Sequence, residues 1–170
     1  MKNSIKELEN ILNYSFKNSE LLKQSLIHKS FNKDNNNEKL EFLGDRVLGL
    51  IISKKLIEIY PEEKEGIIDK KYANLVNKKT CSSIAKKLNL KKYMFLGASQ
   101  KSALVSTNKI MSDCLEALIG AIFLDSGLKS AEKFIFIFWK KFLADSVLTL
   151  IDAKTQLQEY SLKNYKSLPK

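Results

Sequence analysis

Residues 37–50 have the sequence NEKLEFLGDRVLGL, which places three acidic side chains in an otherwise apolar stretch. Glu38, Glu41 and Asp45 are spaced by three and four residues, so a helix of 3.6 residues per turn puts all three carboxylates on one face. The apolar positions continue at helical spacing until Pro61, which stops a helix. We therefore predict a long, central helix with an acidic face.

A second acidic pair lies in residues 113–124, DCLEALIGAIFL, where Asp113 and Glu116 are three residues apart on an equally apolar helix. Two such helices packed together would bring carboxylates face to face, which is costly for buried like charges. A divalent cation would offset that cost, because hard ions such as Mg²⁺ prefer carboxylate oxygens. The alternative is that the acids are solvated or lie at helix N-termini, as is common for an isolated Glu-x-x-Glu pair. Acids that interrupt two strong apolar runs favour the metal site.

The composition indicates one globular domain with a polyanionic partner. The chain has 170 residues, of which 44% are hydrophobic and 28% charged, enough to bury a core and too apolar for wholesale disorder. Its formal net charge is +10, which favours nucleic acid over a membrane surface because no strongly basic amphipathic helix stands out. The alternative is that lysine is abundant for compositional reasons unrelated to binding.

Targeting and redox signals predict a cytoplasmic protein. The N-terminus lacks an apolar segment of signal-peptide length, and no stretch approaches 18 uninterrupted apolar residues, so neither export nor a membrane span is expected. Cys81 and Cys114 have no metal-type spacing with the single histidine, His28, and we expect both to be packing groups in a reducing compartment.

The fold class predicted from the pattern is all-α, because no strand-like alternation of useful length appears. Gly44 and Gly49 lie inside the acidic helix at a cost of about 1 kcal/mol each relative to alanine, which predicts that another backbone or helix packs closely there. A loop is predicted at 96–108 and a helix exit at Ser126 and Gly127. Predicted N-caps or helix starts are Ser4, Ser19, Asp69, Thr80 and Ser130.

The chain changes character after residue 150. Residues 152–169 are polar and predict one amphipathic helix, which alone is marginal in water. We therefore divide the chain into a domain at 1–150 and the opening of a second unit at 151–170.

Four motifs together resemble the ribonuclease III family of double-stranded-RNA-specific endonucleases. They are HKSF at 28–31, NEKLEFLGDRVLG at 37–49, EG at 65–66 and DCLEALIGAIFLDSG at 113–127. The tail DAKTQLQEYSLK at 152–163 resembles the first helix of the double-stranded-RNA-binding domain that usually follows. The resemblance implies a catalytic domain at 1–150 and a truncated RNA-binding domain at 151–170.

The resemblance also implies an all-helical homodimer in which each subunit cuts one RNA strand, and it assigns roles residue by residue. The acids that it places on the metal are Glu41, Asp45, Asp113 and Glu116, with Asp45 and Glu116 catalytic. Glu38 and Glu65 match acids that line the RNA-cleaving valley, and Phe42 matches a residue that packs into the partner subunit. Tyr72 departs from the family, where we expect a basic residue, and its role stays open.

The implied activity is hydrolysis of double-stranded RNA with Mg²⁺, for which Mn²⁺ can substitute, leaving 5′-phosphate and 3′-hydroxyl ends. Ribosomal RNA precursors and structured mRNA are the expected substrates. One alternative is a double-stranded-RNA-binding module that does not cleave, against which the intact acid set argues. A helical di-metal oxidoreductase is a further alternative, but it expects Glu-x-x-His pairs, and Ser25 stands three residues before the lone His28.

Overall fold

The computed structural model describes residues 2–98, 100, 107–146 and 153–166. Its helices are α1 (Lys2–Leu12), α2 (Ser19–Ser25), α3 (Glu38–Ile59), α4 (Glu65–Val76), α5 (Lys78–Lys87), α6 (Thr107–Asp145) and α7 (Ala153–Tyr165). A 3₁₀ turn spans Leu90–Lys92, and the described residues contain one isolated parallel bridge, between Ile27 and Phe95. The predicted all-α fold class is confirmed.

The two acidic helices, α3 and α6, pack against each other more extensively than any other pair. Glycine makes this approach possible, because a Cβ atom at Gly44 would lie 1.7 Å from the carbonyl oxygen of Glu116. A Cβ atom at Gly120 would lie 2.2 Å from the carbonyl oxygen of Leu40. The two backbones are therefore in direct contact, as the sequence predicted for Gly44.

The other glycine of α3, Gly49, packs against a side chain instead of a backbone. The hydroxyl oxygen of Tyr72, on α4, lies 2.7 Å from the position of a Cβ atom at Gly49. Burial raises the pKa of Tyr72, and the charge of Asp45 raises it further, so this hydroxyl is protonated and lies near the acidic face of α3.

The first half of α6 is the most deeply buried segment of the described chain. Every residue from 110 to 122 is buried, and apart from Ser112, Asp113 and Glu116 the stretch consists of apolar residues and glycine. The helix breaks at Gly127, whose φ of 77° lies in the left-handed region that favours glycine. It then continues through Trp139, which is fully buried and donates its indole N–H to the carbonyl oxygen of Leu75 at 2.9 Å.

Several predicted helix boundaries are wrong by a few residues. The helix predicted from Asp69 begins at Glu65, and α1 begins at Lys2, before the predicted cap Ser4. The caps of α2 and α5 are the asparagines at positions 18 and 77, whose side chains accept hydrogen bonds from backbone N–H groups of the first turn. The helix exit predicted at Ser126 and Gly127 coincides with the break at Gly127, but the second half of α6 begins before the predicted start at Ser130. Much of the predicted loop at 96–108 lies outside the described residues.

The carboxylate of Asp125 fastens the α1–α2 connection to α6. It accepts hydrogen bonds from the Tyr14 hydroxyl and from the backbone N–H groups of Lys17 and Asn18 at 3.1 and 2.8 Å. Slight burial alone would raise the pKa of Asp125, but these hydrogen bonds hold it below its usual value. The charged carboxylate therefore stabilises the fold at neutral pH.

Both cysteines, Cys81 and Cys114, are buried free thiols. Within the part of the chain that the structure describes, no helix has the length and apolar character needed to cross a membrane.

The contact at Gly44 generates a stability prediction with a matched control. We expect Gly44→Ala to lower the free energy of unfolding by roughly 3 kcal/mol and the melting temperature by about 6–12 °C, because the new methyl group would overlap the backbone of α6. Gly66 lies in the first turn of α4 with no atom within 4 Å of a Cβ. We expect Gly66→Ala to be neutral or stabilising by up to about 1 kcal/mol. Equal melting temperatures for the two variants would contradict the close packing.

Candidate metal centre

Three acidic side chains from α3 and α6 converge at the helix contact. Glu41 extends from the first turns of α3, and Asp113 and Glu116 lie about one turn apart on α6. One carboxylate oxygen from each residue lies within 4.8 Å of the others, close enough to share one cation. The structure therefore brings together three of the four acids that the family resemblance identifies as metal ligands.

The three carboxyl groups are largely withdrawn from solvent. Asp113 and Glu116 are 8% and 9% exposed, and Glu41 is half-buried. Burial raises the pKa of all three groups. For Glu41 the charge of Asp113 adds to this effect of burial.

Glu116 has the most strongly shifted pKa of the three. Burial, and after it the charges of Asp45, Asp113 and Glu41, raise the pKa of Glu116 to about 7, even though a hydrogen bond from Ser112 lowers it. The hydroxyl oxygen of Ser112 donates to a carboxylate oxygen of Glu116 at 2.9 Å. Such a site gains stability from bound positive charge, because a cation offsets both desolvation and mutual repulsion.

Asp45, the fourth acid, has its carboxylate outside this cluster. Its side chain is 49% exposed and pairs with Arg46 at 2.6 Å. The charge of Asp45 nevertheless raises the pKa of Glu116, so the two side chains are electrostatically coupled.

A cleft of about 250 Å³ opens beside Glu41 and Asp113. Its lining combines acids with amide and basic side chains, and the remaining described lining residues are His28, Lys29, Asn37, Glu38, Gln100, Lys109 and Ile110. At the cleft, Lys29 pairs with Glu38 at 2.7 Å. An acidic centre flanked by lysines suits an anionic substrate that brings phosphate oxygens to a cation.

His28 lines the cleft as a neutral side chain. Burial lowers the pKa of His28, and the charge of Lys29 lowers it further. One ring nitrogen, Nδ1, is 2.8 Å from the Ser30 hydroxyl, and the backbone N–H of His28 donates to the carbonyl oxygen of Phe95. These bonds hold the start of the HKSF segment at the edge of the cleft.

The other predicted site residues lie elsewhere on the surface. Glu65 is exposed in the first turn of α4 and is not among the described residues that line the cleft. Phe42 is 63% exposed, and the guanidinium carbon of Arg46 lies 4.1 Å from its ring centroid.

Sequence reasoning missed Lys109, Gln100 and Ser112. Lys109 and Ser112 each precede an acid of the cluster by four residues on α6, and this spacing was a usable signal for a shared helix face. Gln100 comes from the predicted loop at 96–108 and carried no such signal.

The donor set fits a hard divalent cation. It consists of carboxylate oxygens, which suit Mg²⁺, Mn²⁺ and Ca²⁺ better than softer metals. Three carboxylates also leave positions for water or phosphate oxygens around an octahedral ion. The fold and the site thus define an all-helical domain with a buried acidic centre capable of holding such a cation.

Comparison with known proteins identifies the family. Residues 18–141 match the Ribonuclease-III-like family model. The chain is 56% identical over 169 residues to Ribonuclease 3 of Pelagibacter ubique, covering 99% of this chain and 76% of that protein. It is 39% identical to Ribonuclease 3 of a Wolbachia strain from Culex pipiens, covering 96% and 74% of the two chains.

A solved structure gives the same result for the fold. The nuclease domain of ribonuclease III from Campylobacter jejuni superimposes with a TM-score of 0.79 at 39% identity, covering 82% of this chain and 99% of that one. The chain therefore belongs to the ribonuclease III family and is an endoribonuclease of that family.

The shifted pKa of Glu116 predicts how stability depends on pH without metal. A carboxyl group whose pKa rises from 4.5 to about 7 on folding stabilises the fold most below pH 4.5, and this contribution is lost as the pH rises to 7. In EDTA at pH 7.5, we expect Glu116→Gln to raise the melting temperature by roughly 4–8 °C, since it removes about 2 kcal/mol of repulsion and desolvation. Thermal unfolding at pH 4.5 should show little difference. The exposed Glu63→Gln serves as the control, and a gain at neither pH would contradict the buried repulsion.

Proposed function

We propose that this protein hydrolyses phosphodiester bonds of double-stranded RNA with a divalent metal, Mg²⁺ or the substitute Mn²⁺, and leaves 5′-phosphate and 3′-hydroxyl ends. The observation that carries the proposal is the convergence of three carboxylates, two buried and one half-buried, from two helices within 4.8 Å. Carboxylates this close together repel one another and destabilise the fold, so the cluster is best explained by a cation that it binds.

In this proposal Glu41, Asp113 and Glu116 hold the cation, and Asp45 is the fourth acid. Asp45 would have to give up its pair with Arg46, which costs little because an exposed ion pair contributes at most about 1 kcal/mol. Asp45 and Glu116 are the proposed catalytic pair. The bound cation supplies the Lewis acidity needed for phosphodiester hydrolysis.

The remaining cleft residues bind and orient the substrate. Lys29 and Lys109 are placed to contact phosphate oxygens, and we propose that Glu38 and Glu65 line the path of the RNA. The net charge of +10 favours the phosphate backbone without reading sequence. A-form RNA is recognised mainly by its shape and 2′-hydroxyl groups, which suits such a surface.

We propose that the protein works as a homodimer through an exposed face of α3. Phe42, Leu50 and Ile57 are each about 60% exposed, and their spacing of eight and seven residues puts them along one side of the helix. The related Campylobacter jejuni nuclease domain has a flexible region involved in dimer formation. Two subunits would present two cleavage sites, one for each RNA strand.

We also propose the domain division made from the sequence, with a catalytic domain at 1–150 and an RNA-binding unit beginning at 151–170. The helix α7, Ala153–Tyr165, is consistent with the helix predicted there. The proposed setting is the cytoplasm, where ribosomal RNA precursors and structured mRNA provide double-stranded substrates.

The metal centre is tested by cleavage of long double-stranded RNA. With Mg²⁺, we expect Glu116→Ala to reduce kcat by at least about 10³-fold, since several kcal/mol of transition-state stabilisation are lost with the cation. RNA binding in EDTA should persist, because the phosphate contacts remain. Glu20→Ala removes an exposed acid on α2 and should cleave like the parent protein. Undiminished cleavage by Glu116→Ala would overturn the assignment.

The dimer is tested by sedimentation with two matched phenylalanine variants. We expect Phe42→Ala to raise the dimer dissociation constant by roughly 30-fold, because a central aromatic anchor contributes about 2 kcal/mol. Phe31 is 56% exposed but lies outside α3, so Phe31→Ala should leave the constant unchanged. A monomeric parent protein at high concentration would exclude the proposed interface.

A further inference from the structure

We propose that Ser112 is a positioning residue that orients the Glu116 carboxylate for metal binding. This inference rests on the proposed metal centre and assigns a role to a side chain that holds one of its ligands. Ser112 itself would not touch the cation.

The contact is a buried hydrogen bond within α6. The hydroxyl oxygen of Ser112 donates to Oε1 of Glu116 at 2.9 Å, and the two residues are 0% and 9% exposed. A serine in a helix commonly bonds the carbonyl oxygen four residues earlier. Here the hydroxyl bonds the carboxylate four residues later, so its role extends beyond the helix backbone.

The surroundings of Glu116 explain why an orienting bond matters. Its backbone is fixed because its carbonyl oxygen presses against Gly44 of α3. Its side chain, however, has several rotatable bonds, which would leave the carboxylate free to adopt other orientations. A bond to one oxygen restricts these torsions and leaves the other oxygen available to the cluster with Glu41 and Asp113.

The neighbouring thiol of Cys81 is a weaker alternative donor. Burial, and after it the charge of Glu116, raises the pKa of Cys81 to about 12, so the thiol stays protonated. A thiol is a poor hydrogen-bond donor compared with a hydroxyl. Cys81 also lies 3.7 Å from the carbonyl oxygen of Val76, which competes for its proton. Ser112 is therefore the stronger donor to Glu116.

The test measures Mn²⁺ affinity by electron paramagnetic resonance on the full chain, with thermal unfolding to confirm folding. We expect Ser112→Ala to weaken Mn²⁺ binding by about tenfold, the usual effect of losing a group that orients a metal ligand. The Mg²⁺ concentration for half-maximal cleavage should rise similarly, while KM for RNA stays unchanged. The control is Ser25→Ala, since Ser25 is also 0% exposed but donates to the carbonyl oxygen of Leu22.

Ser112→Cys tests the positioning role of Ser112 if Ser112→Ala fails to fold. It keeps nearly the same volume but replaces the strong donor, and we expect at least a threefold loss of Mn²⁺ affinity. Parental affinity in the folded Ser112 variants, together with loss in Glu116→Ala, would overturn this inference alone. If Glu116→Ala binds Mn²⁺ as the parent does, the proposed metal centre itself fails, and with it the role of Ser112.

Discussion

The contact between the backbones of α3 and α6 at Gly44 and Gly120 is the constraint on which the site depends. Any side chain at either glycine would push the helices apart by the width of a methyl group. Glu41, Asp113 and Glu116 extend from these two helices close to that contact, so the separation of the backbones sets the separation of the carboxylates. The glycines thus determine the chemistry of a site to which they contribute no functional group.

Burial of these acids in an apolar interior destabilises the fold, and packing elsewhere must offset that destabilisation. The buried first half of α6 supplies a continuous apolar surface, and a buried Leu or Ile contributes roughly 1.5–3 kcal/mol. Asp125 offers an instructive contrast within the same helix. Its carboxylate is almost surrounded by donors and its pKa is lowered, whereas the pKa of Asp113 is raised. The surroundings of two aspartates twelve residues apart thus shift their pKa values in opposite directions.

The sequence predicted the helical class, the two acidic helices and the packing role of Gly44, because periodicity and spacing determine which residues share a helix face. The sequence predicted helix starts and side-chain pairs less well, because several neighbouring residues can make the same local interaction. Asn77 and Thr80 are both good cap residues, and the choice depends on which side chain reaches a free N–H group. The helix α4 starts at Glu65, before the predicted cap Asp69, and the negative charge of Glu65 suits the first turn of a helix. The Asp45–Arg46 pair depends on rotamers, which spacing cannot resolve.

The parallel bridge between Ile27 and Phe95 joins two segments that are far apart in sequence, and His28 and Gln100, which follow them along the chain, line the cleft. Its bonds run between main-chain groups, from the His28 N–H to the Phe95 oxygen and from the Phe95 N–H to the Leu26 oxygen. Main-chain bonds do not depend on which side chains the residues carry. An exposed side chain on this edge of the cleft, such as Lys29, can therefore be exchanged without breaking these main-chain bonds. Substrate preference could be re-engineered there while the acidic centre, held by helix packing, stays as it is.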